Sequence, residues 1–122
     1  MKGTCYLSGP MTGLPDGNFP AFHAAAARLR GYGYTVLNPA ELNHDRPLRR
    51  IAMRRDIEAI MRCNIVATLR GWQQSPGAKL EVAIAEELGL KIVPEWLIVA
   101  KARLHIATSL PTWLAPKSGR RL

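Results

Sequence analysis

Short apolar runs alternate with stretches of helical periodicity along most of the chain. Residues 4–7 are apolar and are closed by Ser8-Gly9-Pro10, which reads as a buried strand entering a turn. Residues 12–18 form a loop dense in turn formers. From 19 to 30 the period is helical, with Phe22, Ala25, Ala26 and Leu29 on one face and Gly31 and Gly33 as the stop. Residues 34–37 are a second strand ended by Asn38-Pro39, and 40–47 read as a polar loop. A second helix is expected over 48–63, with Leu48, Ile51, Ala52, Ile60 and Met61 available for its inner face. Residues 65–69 are a third strand and 71–77 a loop. Residues 78–88 are a helix with Leu80, Ala83, Ile84 and Leu88 inward, and 91–93 a fourth strand. After Pro94 the pattern predicts one helix over 95–108, with Leu97, Ile98, Ala102 and Ile106 apolar. Residues 109–122, with Pro111, Pro116 and Gly119, read as an extended basic tail.

Strand–helix alternation with short apolar strands implies an α/β fold. The expected form is a flavodoxin/Rossmann-like three-layer sandwich, with a small parallel sheet and helices on both faces. The organisation predicted is a domain over 1–94 followed by a helix and basic tail over 95–122. In such sheets ligands bind at the carboxyl ends of the strands, near the switch point in strand order. That selects the loops after Leu7, Leu37 and Leu69.

Composition narrows the classes. A length of 122 residues with 48% hydrophobic content fits one globular domain with a real core. Cys5 and Cys63 cannot frame a disulfide scaffold, so a reduced, cytoplasmic setting is the simpler expectation. The first residues lead into an apolar run too short for a signal-peptide core, and no stretch reaches the ~20 apolar residues of a membrane span. The net charge of +8 points to phosphate-bearing partners or simply to a solvated basic surface. His23, His44 and His105 are scattered without ligand spacing, so neither a metal nor another cofactor is expected.

Three places could carry chemistry. Ser75 precedes a helix and Gly77 permits close backbone approach, which suits an anion at the helix start or an ordinary N-cap followed by Pro76. Glu81, in the same helix among apolar neighbours, is either a solvent-facing residue or a carboxylate able to attack an anomeric carbon. Asp56 follows Arg54-Arg55 and is either an exposed ion-pair partner or a second carboxylate in the same cleft. Tyr6, Ser8, Gly9 and Met11 belong to the first strand end and its loop. Trp72 either stacks on a base or covers a corner of the core. Neither a Gly-x-Gly-x-x-Gly pattern nor a P-loop is present.

These pieces together resemble the nucleoside 2-deoxyribosyltransferase superfamily, and within it the small, often phage-borne branch called the domain-of-unknown-function 4406 family. The resemblance covers residues 4–94. Its carriers are residues 6–13 (Tyr-Leu-Ser-Gly-Pro-Met-Thr-Gly), Asn18-Phe19-Pro20-Ala21-Phe22, and Gly33-Tyr34-x-Val36-x-Asn38-Pro39-Ala40-Glu41. Asp56, Cys63-Asn64-Ile65 and Gly71-Trp72-x-x-Ser75-x-Gly77-Ala78-x-x-Glu81 complete the set. The resemblance implies cleavage of the N-glycosidic bond of deoxynucleosides or their 5′-monophosphates. Glu81 would be the nucleophile at C1′, Asp56 its partner carboxylate and Tyr6 the residue positioning Glu81. Ser8, Gly9, Met11, Asn18, Trp72, Ser75 and Gly77 would bind substrate, with Ser75 suggesting a 5′-phosphate. It also implies a homo-oligomer, most simply a dimer, since relatives complete their pockets across subunits.

The sequence departs from that pattern in two places. Asn64 stands where relatives commonly carry aspartate, and residues 70–77 contain no acid, although the transferase branch uses one there. The second departure favours hydrolysis over base exchange. The leading expectation is therefore a hydrolase of 2′-deoxyribonucleoside 5′-monophosphates. A non-catalytic nucleotide sensor and a basic nucleic-acid-associated protein are the alternatives; the latter ranks last because no nucleic-acid-binding motif is present.

Overall fold

The computed structural model describes residues 2–109 and Pro111. Four strands, β1 (Thr4–Ser8), β2 (Thr35–Leu37), β3 (Ile65–Thr68) and β4 (Lys91–Pro94), form one all-parallel sheet in the order β2-β1-β3-β4. Five α-helices connect and cover them: α1 (Phe19–Gly31), α2 (Pro39–Leu42), α3 (Arg49–Ile60), α4 (Pro76–Glu87) and α5 (Glu95–Ser109). The α/β three-layer arrangement expected from the alternation is the one found.

Side-chain alternation along β1 builds the two halves of the core, because successive residues of a strand face opposite sides of the sheet. Cys5 and Leu7 join Phe22, Ala25 and Leu29 of α1 and Ile98 and Val99 of α5 in one cluster. Tyr6 joins Ala59 and Ile60 of α3 and Val82 and Ala85 of α4 in the other. The segment 95–109 is thus one wall of the same core. The central strand is buried on both faces, which is why it reads as a continuous apolar run rather than an alternating one.

Several inward assignments are corrected. Leu48, Ile51 and Met61 near α3, Leu80 and Leu88 near α4, and Ile106 on α5 are exposed. Helices α3 and α4 instead present Asp56, Ala59 and Ile60, and Ala78, Glu81, Val82 and Ala85. Small residues let these helices approach closely, and the two acids take positions that an apolar-only pattern assigns to the outside. The segment expected as a loop over 40–47 begins with the short helix α2. Asn38 caps it by accepting the Ala40 amide at 3.0 Å, with Pro39 at the first helical position. Most of the predicted tail lies outside the described residues.

Candidate active site

The carboxyl end of β1 supplies two hydroxyls to one side of the sheet. Tyr6 and Ser8 are two residues apart and so share a face, and α4 lays Glu81 against both. The Tyr6 hydroxyl donates to Glu81 Oε2 at 2.8 Å, and the Ser8 hydroxyl donates to Oε1 at 2.7 Å. Each carboxylate oxygen therefore has its own fixed donor. Glu81 is only 6% exposed and Asp56, on α3, only 7%. The two acids face the same cavity. Asn43 completes the set by donating from Nδ2 to Asp56 Oδ1 at 2.8 Å.

Electrostatics follow from burial. Loss of water, reinforced by the facing Asp56 carboxylate, pushes Glu81 up to about 8. Burial also raises Asp56, against the opposing pull of the hydrogen bond from Asn43 and of the neighbouring Glu81 and Tyr6. Two like charges facing one buried cavity cannot both ionise cheaply, which favours a singly protonated pair. Tyr6 is held well above its usual range by burial and by the neighbouring acids, so it stays a hydrogen-bond donor.

The pair opens onto a cavity of about 270 Å³ lined by Gly9, Met11, Arg49, Ser75 and Gly77 among others. At its far end, Ser75 caps α4 by accepting the Ala78 amide at 3.2 Å. Arg49 lies over the same helix start: a Cβ placed on Gly77 would stand 3.8 Å from both terminal nitrogens of the Arg49 guanidinium. A helix N-terminus beside a guanidinium is a site for an anion. The close packing of β1 against β3 leaves no room for a side chain at Gly9, whose Cβ would come within 2.8 Å of Leu69 Cβ.

Of the residues singled out from the sequence, Glu81, Asp56, Gly9, Met11, Ser75 and Gly77 converge on this cavity, with Tyr6 and Ser8 held beneath Glu81. Asn18 and Trp72 do not line it. The Asn18 amide donates to the Pro10 carbonyl at 2.9 Å and pins the first loop. Trp72 packs against the core near Tyr6 and Val82, and lines a separate hollow with Arg70 and Trp96. The surface ion-pair alternative for Asp56 does not hold, because Arg55 pairs instead with Asp45 at 2.7 Å and Asp56 is buried. Sequence reasoning missed Arg49 and Asn43. The signal for Arg49 was its spacing: residues 49, 53 and 56 recur at four and three along α3, which places them on one face.

The fold and site together define an α/β protein with a buried carboxylate pair at the switch point of a parallel sheet, beside a place for an anion. A family model described as "Domain of unknown function (DUF4406)" matches residues 3–94, and the chain belongs to that family. A search of curated proteins finds no match. Among the described residues, no group of three or more His, Cys, Asp or Glu side chains could hold a metal ion, and no helix is long and apolar enough to cross a membrane.

Proposed function

We propose that the protein cleaves the N-glycosidic bond of a 2′-deoxyribonucleoside 5′-monophosphate by nucleophilic catalysis, as a relative of the nucleoside 2-deoxyribosyltransferases. The observation that carries this reading is the convergence of Glu81 and Asp56 on one cavity whose far end is the Ser75–Gly77 helix start with Arg49 over it. The 5′-phosphate sits at that helix start, and the sugar then reaches the acids.

The pair works in its singly protonated form. The proton that Glu81 holds at rest passes to Asp56 in the bound complex; the Glu81 carboxylate then attacks C1′ as the bond from C1′ to the base nitrogen breaks, and Asp56 delivers that proton to the departing base. Tyr6 and Ser8, both donating to Glu81, favour its ionised form and hold its oxygens in line. Water then attacks C1′, giving its proton to Asp56 and releasing Glu81 and 2-deoxyribose 5-phosphate. The absence of any acid in residues 70–77 supports water rather than a second base as the acceptor. Exposed Trp96, Leu104 and Ile106 on α5 support self-association, most simply as a dimer, which light scattering measures directly.

The test is base release from the four deoxynucleoside 5′-monophosphates and their nucleosides, followed by chromatography. The expected result is release from at least one monophosphate and a loss of ~10²–10⁴-fold in Glu81→Ala. A wild-type protein as inert as Glu81→Ala across the panel overturns the reading.

A further inference from the structure

The carboxylate cavity continues into a second hollow of about 380 Å³, the two sharing Met11, Thr12, Pro47, Ala52 and Asp56. One wall of this hollow is a stacked pair. The Arg46 guanidinium lies 4.2 Å from the centre of the Phe19 ring, and its Nη2 donates to Asp16 Oδ1 at 2.8 Å. The backbone at Arg46 is left-handed, with φ of 52°. For a long side chain this conformation is strained, costing ~1–3 kcal/mol, and it persists only where surrounding contacts impose it. In the loop that carries its partner, Asp16 and Asn18 adopt the same conformation, with φ of 51° and 61°. Two bent loops thus bring one guanidinium over one ring. Phe19 lies on one side of the guanidinium, and Arg46 also lines the hollow.

The hollow's buried polar atom without a partner belongs to Asn43. Its Nδ2 is committed to Asp56, while its Oδ1 is buried without any hydrogen-bond partner. An unsatisfied buried acceptor costs ~1–3 kcal/mol, which a donor brought by a ligand recovers. The hollow therefore offers a cationic stacking plane, apolar walls from Met11, Leu14 and Pro47, and one acceptor beside Asp56. A flat heteroaromatic ring with an N–H on its edge satisfies all three.

We propose that this second hollow seats the nucleobase, stacked on Arg46 with an edge N–H donating to Asn43 Oδ1, so that the glycosidic bond lies over Asp56. This assignment rests on the nucleotide reading above and moves base stacking from Trp72 to Arg46.

Calorimetric binding to the Glu81→Gln protein separates the two ideas, because it needs no turnover. The probes are a deoxynucleoside 5′-monophosphate and 2-deoxyribose 5-phosphate, which carries the phosphate and sugar but no base. Arg46→Ala in that background is expected to weaken nucleotide binding about tenfold and to leave 2-deoxyribose 5-phosphate within about twofold. Arg46→Met, which keeps the apolar stem on Phe19 but not the plane, is expected to show the same selective loss, and Trp72→Phe none. Equal loss for both probes, no loss for either, or a nucleotide that binds no better than 2-deoxyribose 5-phosphate overturns the assignment. Selective loss in a protein whose wild type releases no base overturns only the catalytic reading.

Discussion

Replacing Glu81 with glutamine removes one titrating group from the core and keeps its shape. The folded protein holds the Glu81 proton until about pH 8, while the unfolded chain releases it near the ordinary 4.5. Between those values the folded state binds more protons than the unfolded state, so wild-type stability falls as pH rises. At ~1.4 kcal/mol per pH unit, the span from 4.5 to about 8 amounts to about 5 kcal/mol. That is a large share of the ~5–15 kcal/mol that holds a domain together. Glutamine mimics the protonated acid: its oxygen accepts from one of the Tyr6 and Ser8 hydroxyls, and its amide donates to the oxygen of the other. The two proteins should therefore be equally stable near pH 4. Above that the glutamine variant should gain steadily, levelling off beyond about pH 8 with an advantage of several kcal/mol. Urea unfolding at half-unit steps from pH 4 to 9 measures this; subtracting the two curves cancels the titrating groups remote from the pair and leaves Glu81 together with its effect on Asp56. A difference flat to within ~0.5 kcal/mol would show that Glu81 ionises freely in the folded protein and would sink the argument for a singly protonated pair.

Other outcomes follow from the same contacts. Tyr6→Phe removes a donor to the ionised form of Glu81, so the acidic limb of the rate–pH profile should move up by roughly one pH unit, since a hydrogen bond to a charged group contributes ~1.5–3 kcal/mol. Arg49→Ala should raise KM for a 5′-monophosphate about tenfold or more and leave that for the nucleoside unchanged; steady-state kinetics on both substrates decides it. Gly9→Ala should destabilise the fold by ~1–3 kcal/mol in chemical denaturation, because its new methyl group meets Leu69 across the β1–β3 junction.

The strands and the parallel sheet were legible because all four read as short apolar runs, the central β1 and β3 being largely buried and the edge strands β2 and β4 only partly so. The faces of α3 and α4 were less so. A hydrophobic stripe drawn through Leu48, Ile51 and Met61 turns α3 away from its actual orientation, in which Asp56, Ala59 and Ile60 face inward. Burial of an acid opposes the usual ordering of residues by polarity, and only partners from elsewhere in the chain make it affordable. Those partners, Tyr6, Ser8 and Asn43, are 75, 73 and 13 residues from the acids they hold, beyond the reach of local periodicity. Arg49 was one of several arginines in a basic cluster, and only the packing of α3 beside α4 picks it out. Trp72 looked available for stacking from its place after Gly71, but the turn at 72–74 folds it back toward the core.

The reacting acids and the walls of the second hollow belong to different kinds of structure. Glu81 and Asp56 ride on long helices braced by the sheet, whereas Leu14, Asn43, Arg46 and Pro47 come from two surface loops. Loops accept replacement far more readily than a packed core does. Lineages built on this scaffold are thus free to reshape that hollow by exchanging those two segments, so long as the Asn43 hydrogen bond to Asp56 is kept.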